Sequence, residues 1–261
     1  MEGNAFNVAA TVDIGNDRER QEDFVSFEEL DDDNLFAIVA DGSGSTVESM
    51  QPAVIVAMEI TNEIRFIFDK NKDLFLSAPE LFMENAIRNS HRVLTGFKMG
   101  NEEKFVGYAA SLTCVLLHNE GERARIYMAH TGNTRLYILR NGNLNQLSAD
   151  HTKAAELLEE GLIDINTYHI HPDRLVITGG VGGANEPPIQ TKKGILKDND
   201  ILVMTTDGIH YAARPEEMAR IILEAGNPDD SAAELVYQAK STKYPDNMAA
   251  MIITRKKDVN E

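Results

Sequence analysis

Apolar residues fall into continuous runs and into stripes with helical spacing. Runs at residues 35–40, 111–118 and 201–206 are typical of strands that are buried on both faces. Helical stripes cover residues 49–68 and 79–99. Shorter patterns predict further strands at 7–13, 24–28, 125–130, 136–140 and 248–254, and helices at 153–160, 215–224 and 231–240. Because clusters of strands alternate with pairs of helices, the pattern favours sheets covered by helices over a simple barrel.

Glycine positions predict where some of these elements end. Asn141-Gly142 follows the strand predicted at 136–140 and is typical of a tight hairpin turn. Gly161 follows the helix predicted at 153–160 and is expected to end it. Residues 178–183 are glycine-rich and are expected to form a loop.

Two of the apolar runs end in the same dipeptide. LFAIVADG closes at Asp41-Gly42, and ILVMTTDG closes at Asp207-Gly208. A carboxylate at the end of a buried strand is costly to bury unless something cationic pairs with it. Glycine behind it allows a sharp turn and a close approach by another group. We therefore expect the two carboxylates to converge at one end of the core.

Other acidic residues lie beside predicted strands in the same way. Glu22-Asp23 precedes the strand at 24–28, and Asp246 precedes the last strand. Oxygen ligands of this kind suit Mg²⁺ or Mn²⁺, and no Cys or His cluster has the spacing of a zinc site. Asp-Gly and Asp-Asn are also common turn and capping residues. The residue pattern alone leaves both interpretations open.

Composition narrows the possible partners. The chain has 261 residues, 43% of them hydrophobic, which is enough for a substantial core. Its net charge of −17 is opposite in sign to that of most nucleic-acid-binding domains and disfavours anionic membranes. Apolar runs are too short to cross a bilayer, and no secretory signal is visible. The only cysteine, Cys114, lies in an apolar run, which predicts a core residue and a cytoplasmic protein.

Several segments together are similar to a known family. They are TVDIGNDRERQED (11–23), LFAIVADGSGS (35–45), YMAHTGNTRLYILRNGNLNQLSADHT (127–152), EEGLIDINTYHIHPDRLVITGGVGG (159–183), DNDILVMTTDGIH (198–210) and PDNMAAMIIT (245–254). In this order they resemble the bacterial branch of the type 2C metal-dependent protein phosphatases. The resemblance covers nearly the whole chain. It implies one phosphatase domain over residues 1–261, with a flap-like segment at about 150–190.

The resemblance also implies a fold and a site. The fold is an α+β, four-layer α-β-β-α sandwich, in which two antiparallel sheets are flanked by antiparallel helix pairs. Two Mn²⁺ or Mg²⁺ ions would be bridged by Asp41, with the Gly42 carbonyl as a further ligand. Asp207 and Asp246 would bind one ion, with Glu22 and Asp23 close by, directly or through water. Arg18 would bind the substrate phosphate, since a guanidinium can hold two phosphate oxygens at once.

The implied reaction is hydrolysis of phosphoserine and phosphothreonine esters. A metal-bridged hydroxide would attack phosphorus in line while Arg18 holds the phosphate, so Asp41 and Arg18 are the residues expected to carry catalysis. Asn133 stands where the family has an aspartate that helps to hold a third metal. A neutral amide is a poorer ligand, which makes a third ion doubtful. Ser45 replaces a glycine of the family, and Ser43 stands where some relatives have a histidine, so no general acid is assigned.

Two other functions stay open at this point. The first is a regulatory or phosphoprotein-binding domain of the same fold with weakened catalysis, motivated by Asn133 and Ser45. The second is a phosphatase of the haloacid-dehalogenase type, which needs an acid two residues after its nucleophilic Asp; Ser43 occupies that position. The expected partner is a phosphorylated protein, with a Ser/Thr kinase as the opposing enzyme. A monomer that binds neither nucleic acid nor membrane is expected.

Overall fold

The computed structural model describes residues 4–44, 51–100 and 102–256. Its strands are β1 (Phe6–Asp13), β2 (Asp23–Asp31), β3 (Asn34–Ser43), β4 (Ala109–Asn119), β5 (Arg123–Thr131), β6 (Arg135–Arg140), β7 (Asn143–Gln146), β8 (Gln190–Lys197), β9 (Ile201–Thr205) and β10 (Met248–Arg255). Its helices are α1 (Pro52–Lys70), α2 (Lys72–Ser77), α3 (Pro79–Lys98), α4 (Lys153–Glu159), α5 (Ile165–Ile170), α6 (Asp207–His210), α7 (Pro215–Ala225) and α8 (Pro228–Ser241).

The strands form two antiparallel sheets. One has the order β1-β10-β9-β6-β7 and the other the order β2-β3-β4-β5-β8. Helices α1 and α3 cover the outer face of the second sheet, and α7 and α8 cover the first. The four-layer α-β-β-α sandwich expected from the sequence is therefore confirmed. In the described part of the chain, no helix is both long and apolar enough to cross a membrane.

Alternating side chains of the central strands supply three apolar layers. From β3, Leu35, Ala37 and Val39 point between the sheets, where they meet side chains of β9 and β10. The neighbouring residues Phe36 and Ile38 point the other way, against α1 and α3. A third cluster joins the first sheet to α7 and α8. Because both faces of β3 are buried, its sequence is a continuous apolar run.

Most of the predicted elements lie where the pattern placed them, with three strand-level differences. Strand β7, which follows the predicted hairpin turn, was not among the predicted strands. The prediction that β3 stops before Asp41-Gly42 is wrong, because pairing continues from Asp41 to Ser111 and from Gly42 to Ala110. Strand β8 was not predicted. It is an edge strand of largely exposed residues, and its lysines give it no apolar alternation.

Helix boundaries and turns agree more closely. Helix α1 begins at Pro52, and the predicted start at Ser49 lies outside the described residues. The short helices α2, α5 and α6 were not predicted. Asn141 and Gly142 both have positive φ, 52° and 79°, as the predicted hairpin turn requires. Gly161, with φ of 71°, follows α4 as expected.

Candidate active site

The pairing of β2 with β3 brings two of the predicted acids together. Asp23 is the direct cross-strand partner of Asp41, so both side chains lie on the same face of the sheet. Asp23 is buried, and Asp41 is partly exposed. Acids directly opposite each other in a sheet repel, so this register needs a compensating positive charge.

The other two acids come from the second sheet. Asp207 is the first residue of α6, two residues after the end of β9, and Asp246 lies two residues before β10. The Thr206 hydroxyl donates to Asp23 Oδ2 at 2.7 Å, which fixes the end of β9 beside β2. We call Asp23, Asp41, Asp207 and Asp246 the acid cluster. The convergence of the two Asp-Gly pairs is thus present in the structure.

The acid cluster is electrostatically unfavourable without a cation. Burial raises the pKa of Asp41 well above its usual range, and Asp207, Asp23 and Asp246 raise it further. Burial likewise raises the pKa of Asp23, with Asp207 and Asp246 adding to the effect. Burial, together with Asp246, raises the pKa of Asp207 to about 7. Positive charge placed here would lower all three pKa values.

One cationic side chain already faces the acid cluster. Arg18 Nη2 lies 2.7 Å from Asp246 Oδ1, and the two side chains are 44% and 21% exposed. Burial lowers the pKa of Arg18, but the carboxylates of Asp246, Glu22 and Asp41 outweigh it, so the net shift is upward. Arg18 therefore lies at the open side of the acid cluster, and Glu22 is near enough to influence it.

Both glycines of the Asp-Gly pairs lie close against other backbone atoms. A Cβ at Gly208 would overlap the carbonyl oxygen of Asn247. A Cβ at Gly42 would come within 3.0 Å of the Ala53 backbone nitrogen and 3.1 Å of the Glu22 carbonyl oxygen. The Gly42 N–H donates to that same Glu22 carbonyl at 3.0 Å. The close approach expected behind each aspartate therefore occurs at both positions.

Asn247 organises the loop that carries Arg18, a role the sequence did not predict. Its Nδ2 donates to the carbonyls of Ile14 and Arg20, both at 2.9 Å, and its Oδ1 accepts from the Glu22 N–H at 2.8 Å. The amide is buried and joins residues 14–22 to the start of β10. Asn247 thus holds Arg18 and Glu22 beside Asp246. The Asp-Asn dipeptide was a visible signal, but its partners are more than two hundred residues away in sequence.

The carboxylate oxygens of the acid cluster suit a hard divalent cation, provided that the Asp246 side chain reorients. Within the described ranges, no three Asp, Glu, His or Cys side chains are close enough to hold one ion as they stand. The carboxylate of Asp246 is paired with Arg18 at 2.7 Å. Next to Asp207, the buried Oδ1 of Asn133 has no hydrogen-bond partner. Anionic and amide oxygens without adequate partners are the ligands that Mg²⁺ and Mn²⁺ prefer.

Asn133 supports Asp207 by hydrogen bonding. Its Nδ2 donates to Asp207 Oδ2 at 3.0 Å, and the residue is fully buried. This bond lowers the pKa of Asp207 against the effects of burial and of Asp246. The asparagine therefore stabilises the ionised form of an acid that has no ion pair of its own.

Replacement of Asn133 by aspartate should destabilise the metal-free protein. It removes the donor to Asp207 and adds a buried charge, so we expect Asn133→Asp to lower the melting temperature in EDTA by about 5 °C or more, given about 2–4 °C per kcal/mol. Added Mn²⁺ should raise the melting temperature of Asn133→Asp by more than it raises that of the wild type. Differential scanning fluorimetry measures both, with the exposed Asn145→Asp as control. An unchanged melting temperature in EDTA would contradict the role given to Asn133.

A buried ion pair lies beside the acid cluster. Arg135 donates from Nε and Nη2 to the two carboxylate oxygens of Asp150, at 2.8 and 2.6 Å. The Tyr168 hydroxyl of α5 donates to Asp150 Oδ2 at 2.7 Å. Burial raises the pKa of Asp150, but Arg135 outweighs it and lowers the value to about 2. This pair fastens the flap-like segment (residues 150–190) to β6, two residues after Asn133.

The histidines have local roles. Thr152 is the N-cap of α4, and Asp150 is paired with Arg135. His151 Nδ1 accepts from the Gly132 N–H at 3.1 Å. His171 accepts from the Asp173 N–H at 3.2 Å and so caps a short 3₁₀ helix. His210 is buried beside Thr205. None of them joins the acid cluster.

Cys114 behaves as a core residue. Its side chain is fully buried in β4, and burial raises the pKa of the thiol to about 12. A thiol with such a pKa is a poor nucleophile at neutral pH. Ser45 lies outside the described residues.

Comparisons with known proteins relate the chain to one protein family. The family model described as "Protein phosphatase 2C" matches residues 14–235. A protein phosphatase 2C-type protein of Streptococcus pyogenes is 25% identical over 251 residues, which are 95% of this chain and 97% of that protein. The serine/threonine phosphatase stp of Listeria monocytogenes is 24% identical over 94% of both chains.

Solved structures share the fold. The serine/threonine phosphatase of S. agalactiae superposes with a TM-score of 0.83 at 22% identity, covering 96% of this chain and 100% of that one. The catalytic domain of the serine/threonine protein phosphatase PstP, in complex with two manganese ions, gives a TM-score of 0.74 at 21% identity. It covers 95% of this chain and 97% of that one.

Proposed function

The chain belongs to the protein phosphatase 2C family of metal-dependent protein phosphatases, and on that premise we propose that it hydrolyses phosphoserine and phosphothreonine esters of proteins at the acid cluster. The observation that supports this proposal most strongly is the acid cluster itself. In it, the pKa values of Asp23, Asp41 and Asp207 are raised by burial and by neighbouring carboxylates, next to an exposed arginine. Such a site needs divalent cations and can then attract a phosphate.

We assign the cation ligands from this arrangement. Asp41, with the Gly42 carbonyl, would contact two divalent ions, and Asp207 and Asp246 would hold one of them. Glu22 and Asp23 would lie beside the ions, directly or through water. Bound ions supply a Lewis acid that lowers the pKa of water and offsets the charge on the phosphoryl oxygens. Mn²⁺ and Mg²⁺ both suit the oxygen donors, and the neutral Asn133 argues against a third ion.

Arg18 would hold the substrate phosphate. In the structure, its guanidinium forms a salt bridge with Asp246. Once the Asp246 carboxylate binds a cation, it would no longer neutralise Arg18. The freed donors can then bind two phosphate oxygens in the fixed geometry of a guanidinium. In this role Arg18 orients the phosphorus atom towards the acid cluster and adds positive charge where negative charge develops.

Three uncharged side chains would keep the site in place. Thr206 orients Asp23, Asn133 orients Asp207, and Asn247 fixes the loop that carries Arg18. Because each contact joins segments distant in sequence, the site depends on the two sheets keeping their relative position. These residues act through the ligands and do not need to touch the substrate.

The remaining assignments stay predictions. The opposing enzyme would be a Ser/Thr kinase, and the protein would act as a cytoplasmic monomer over a single domain, residues 1–261. The buried, unpaired thiol of Cys114 is compatible with a reducing compartment. The net charge of −17 supports the expectation that neither nucleic acid nor an anionic membrane is a partner.

Hydrolysis of a phosphothreonine peptide in Mn²⁺ and in EDTA tests the proposal. We expect turnover only with the metal, and a KM that rises about tenfold in Arg18→Gln when a charged contact to the phosphate is lost. Arg18→Lys should retain part of the affinity because it keeps the charge. A protein that binds the peptide but does not hydrolyse it in saturating Mn²⁺ would instead support the weakened, regulatory alternative.

A further inference from the structure

A cavity of about 340 Å³ adjoins the acid cluster at Asp41. One wall is formed by Asp41 and Ser43 of β3 and by the first residues of β4. The opposite wall is formed by residues 177–180 and 183–188 of the flap-like segment. We call this space the flanking cavity. Asp41 belongs to both the acid cluster and the flanking cavity. A substrate peptide whose phosphorylated side chain lies at the acid cluster can therefore extend directly into the flanking cavity.

The wall opposite β4 is held in a defined position. Ala110 and Val181 exchange backbone hydrogen bonds of 2.9 and 2.8 Å, which join the wall to β4. From α3, His91 Nδ1 accepts from the Gly182 N–H at 3.1 Å, and Lys98 donates to the Gly182 carbonyl. The wall is thus anchored on two sides. Its shape is set by the fold before any substrate binds.

Glycine and alanine are six of the fifteen residues that line the flanking cavity. A Cβ at Gly179 would come within 2.7 Å of the His151 Cβ and 2.8 Å of the Pro188 Cγ, so only glycine fits there. The other glycines and alanines of the lining are Gly180, Gly183, Ala109, Ala110 and Ala184. Such a surface leaves room for an extended peptide and offers few charged groups that could recognise one.

Charge in the lining comes from two residues. Among the lining residues, only Asp41 and Glu186 carry a charge, and both are acidic. The Glu186 side chain is 62% exposed, and its ion pair with Arg88 is long, 3.6 Å. Arg88 makes its closer bond, 2.8 Å, to Glu84 within the same helix. Glu186 is therefore only loosely neutralised and can accept a bond from another cation.

We propose that the flanking cavity binds the residues next to the phosphorylated side chain and that Glu186 selects a basic residue there. The inference rests on the proposed phosphatase function and adds a substrate class to it: phosphoproteins with Lys or Arg close to the phosphorylated residue. An arginine would form a charge-assisted, bidentate pair with the Glu186 carboxylate. A glutamate at the same place would meet repulsion from Glu186.

Phosphothreonine peptides that carry Arg, Ala or Glu at successive positions around the phosphothreonine test the proposal. At the position that enters the flanking cavity, we expect wild-type kcat/KM to favour Arg over Glu by about fivefold, the effect of about 1 kcal/mol. The difference should lie in KM and shrink at high salt. Glu186→Gln should abolish the preference, and Glu186→Lys should invert it. Glu160 is an exposed acid of the same flap-like segment, so Glu160→Gln is the matched control. This variant should keep the wild-type preference.

The outcomes separate the two proposals. Hydrolysis of the Ala peptides reports the phosphatase function independently of Glu186. If those peptides are hydrolysed but no position distinguishes Arg from Glu, the assignment of Glu186 is overturned. It is equally overturned if Glu186→Lys retains the preference for Arg, or if Glu160→Gln changes the preference as much as Glu186→Gln does.

Discussion

Replacement of Asp41 by asparagine is expected to lower metal-dependent hydrolysis of a phosphothreonine peptide by about a thousandfold or more, because metal-ion catalysis supplies several kcal/mol of transition-state stabilisation. Asp41 is the acid that we assign to both cations. The amide is neutral and has one oxygen fewer for ligation. The change nearly preserves side-chain volume, so β3 should keep its pairing with β2 and β4.

Stability distinguishes this effect from misfolding. The pKa of Asp41 is raised by burial and by the neighbouring acids, so an ionised Asp41 destabilises the metal-free fold. Asp41→Asn should therefore unfold in urea, with EDTA present, at the same or a higher concentration than the wild type. Asp69→Asn, an exposed acid on α1, should retain full activity. Near-normal turnover by Asp41→Asn would contradict the assignment of Asp41 as shared ligand.

Replacement of Arg135 by methionine is the change for which we expect the largest loss of stability, about 3–5 kcal/mol, because it leaves a buried carboxylate without its partner. Asp150 would keep only the hydrogen bonds from Tyr168 and Gln146. Its pKa of about 2 depends on the Arg135 guanidinium, so the variant should also lose stability more steeply as the pH rises and Asp150 has to ionise. Urea unfolding at several pH values measures both effects.

A second substitution tests the cause of that loss. Arg135→Met/Asp150→Asn should recover part of the stability, since a neutral amide is less costly to bury than an unpaired carboxylate. Arg125→Met removes an arginine whose pair with Glu120 lies on the surface, and should unfold close to the wild type. If Arg135→Met and Arg125→Met unfold at the same urea concentration, the Arg135–Asp150 pair does not stabilise the fold as its geometry indicates.

The fold was predictable to the extent that each element has its own pattern. Buried strands such as β3 and β9 are continuous apolar runs, and the hairpin at Asn141-Gly142 has a turn that few other dipeptides can adopt. Strand β8 was missed because an edge strand need not be apolar. The strand β3 extends past Asp41 because pairing with β4 continues, which depends on a partner and not on local sequence.

The acid cluster was predictable for a different reason. Acidic residues next to buried strands are unusual enough to be noticed in the sequence. Asp41 and Asp207 are distinguished further by the glycine that follows each of them. The residues that position them are not visible in this way. Thr206 and Asn247 are ordinary polar residues in the sequence, and their contacts form only where the two sheets meet. The pairing of Asp150 with Arg135 is likewise not visible in the sequence.

A crystal structure of the protein soaked in Mn²⁺, with anomalous diffraction data, tests the central claim most directly. We expect two manganese ions that share the Asp41 carboxylate, with Asp207 and Asp246 on one of them and Arg18 released from Asp246. An acid cluster without manganese at saturating concentration, with Arg18 still bonded to Asp246, would contradict the assignment of this site as a metal-dependent phosphatase centre.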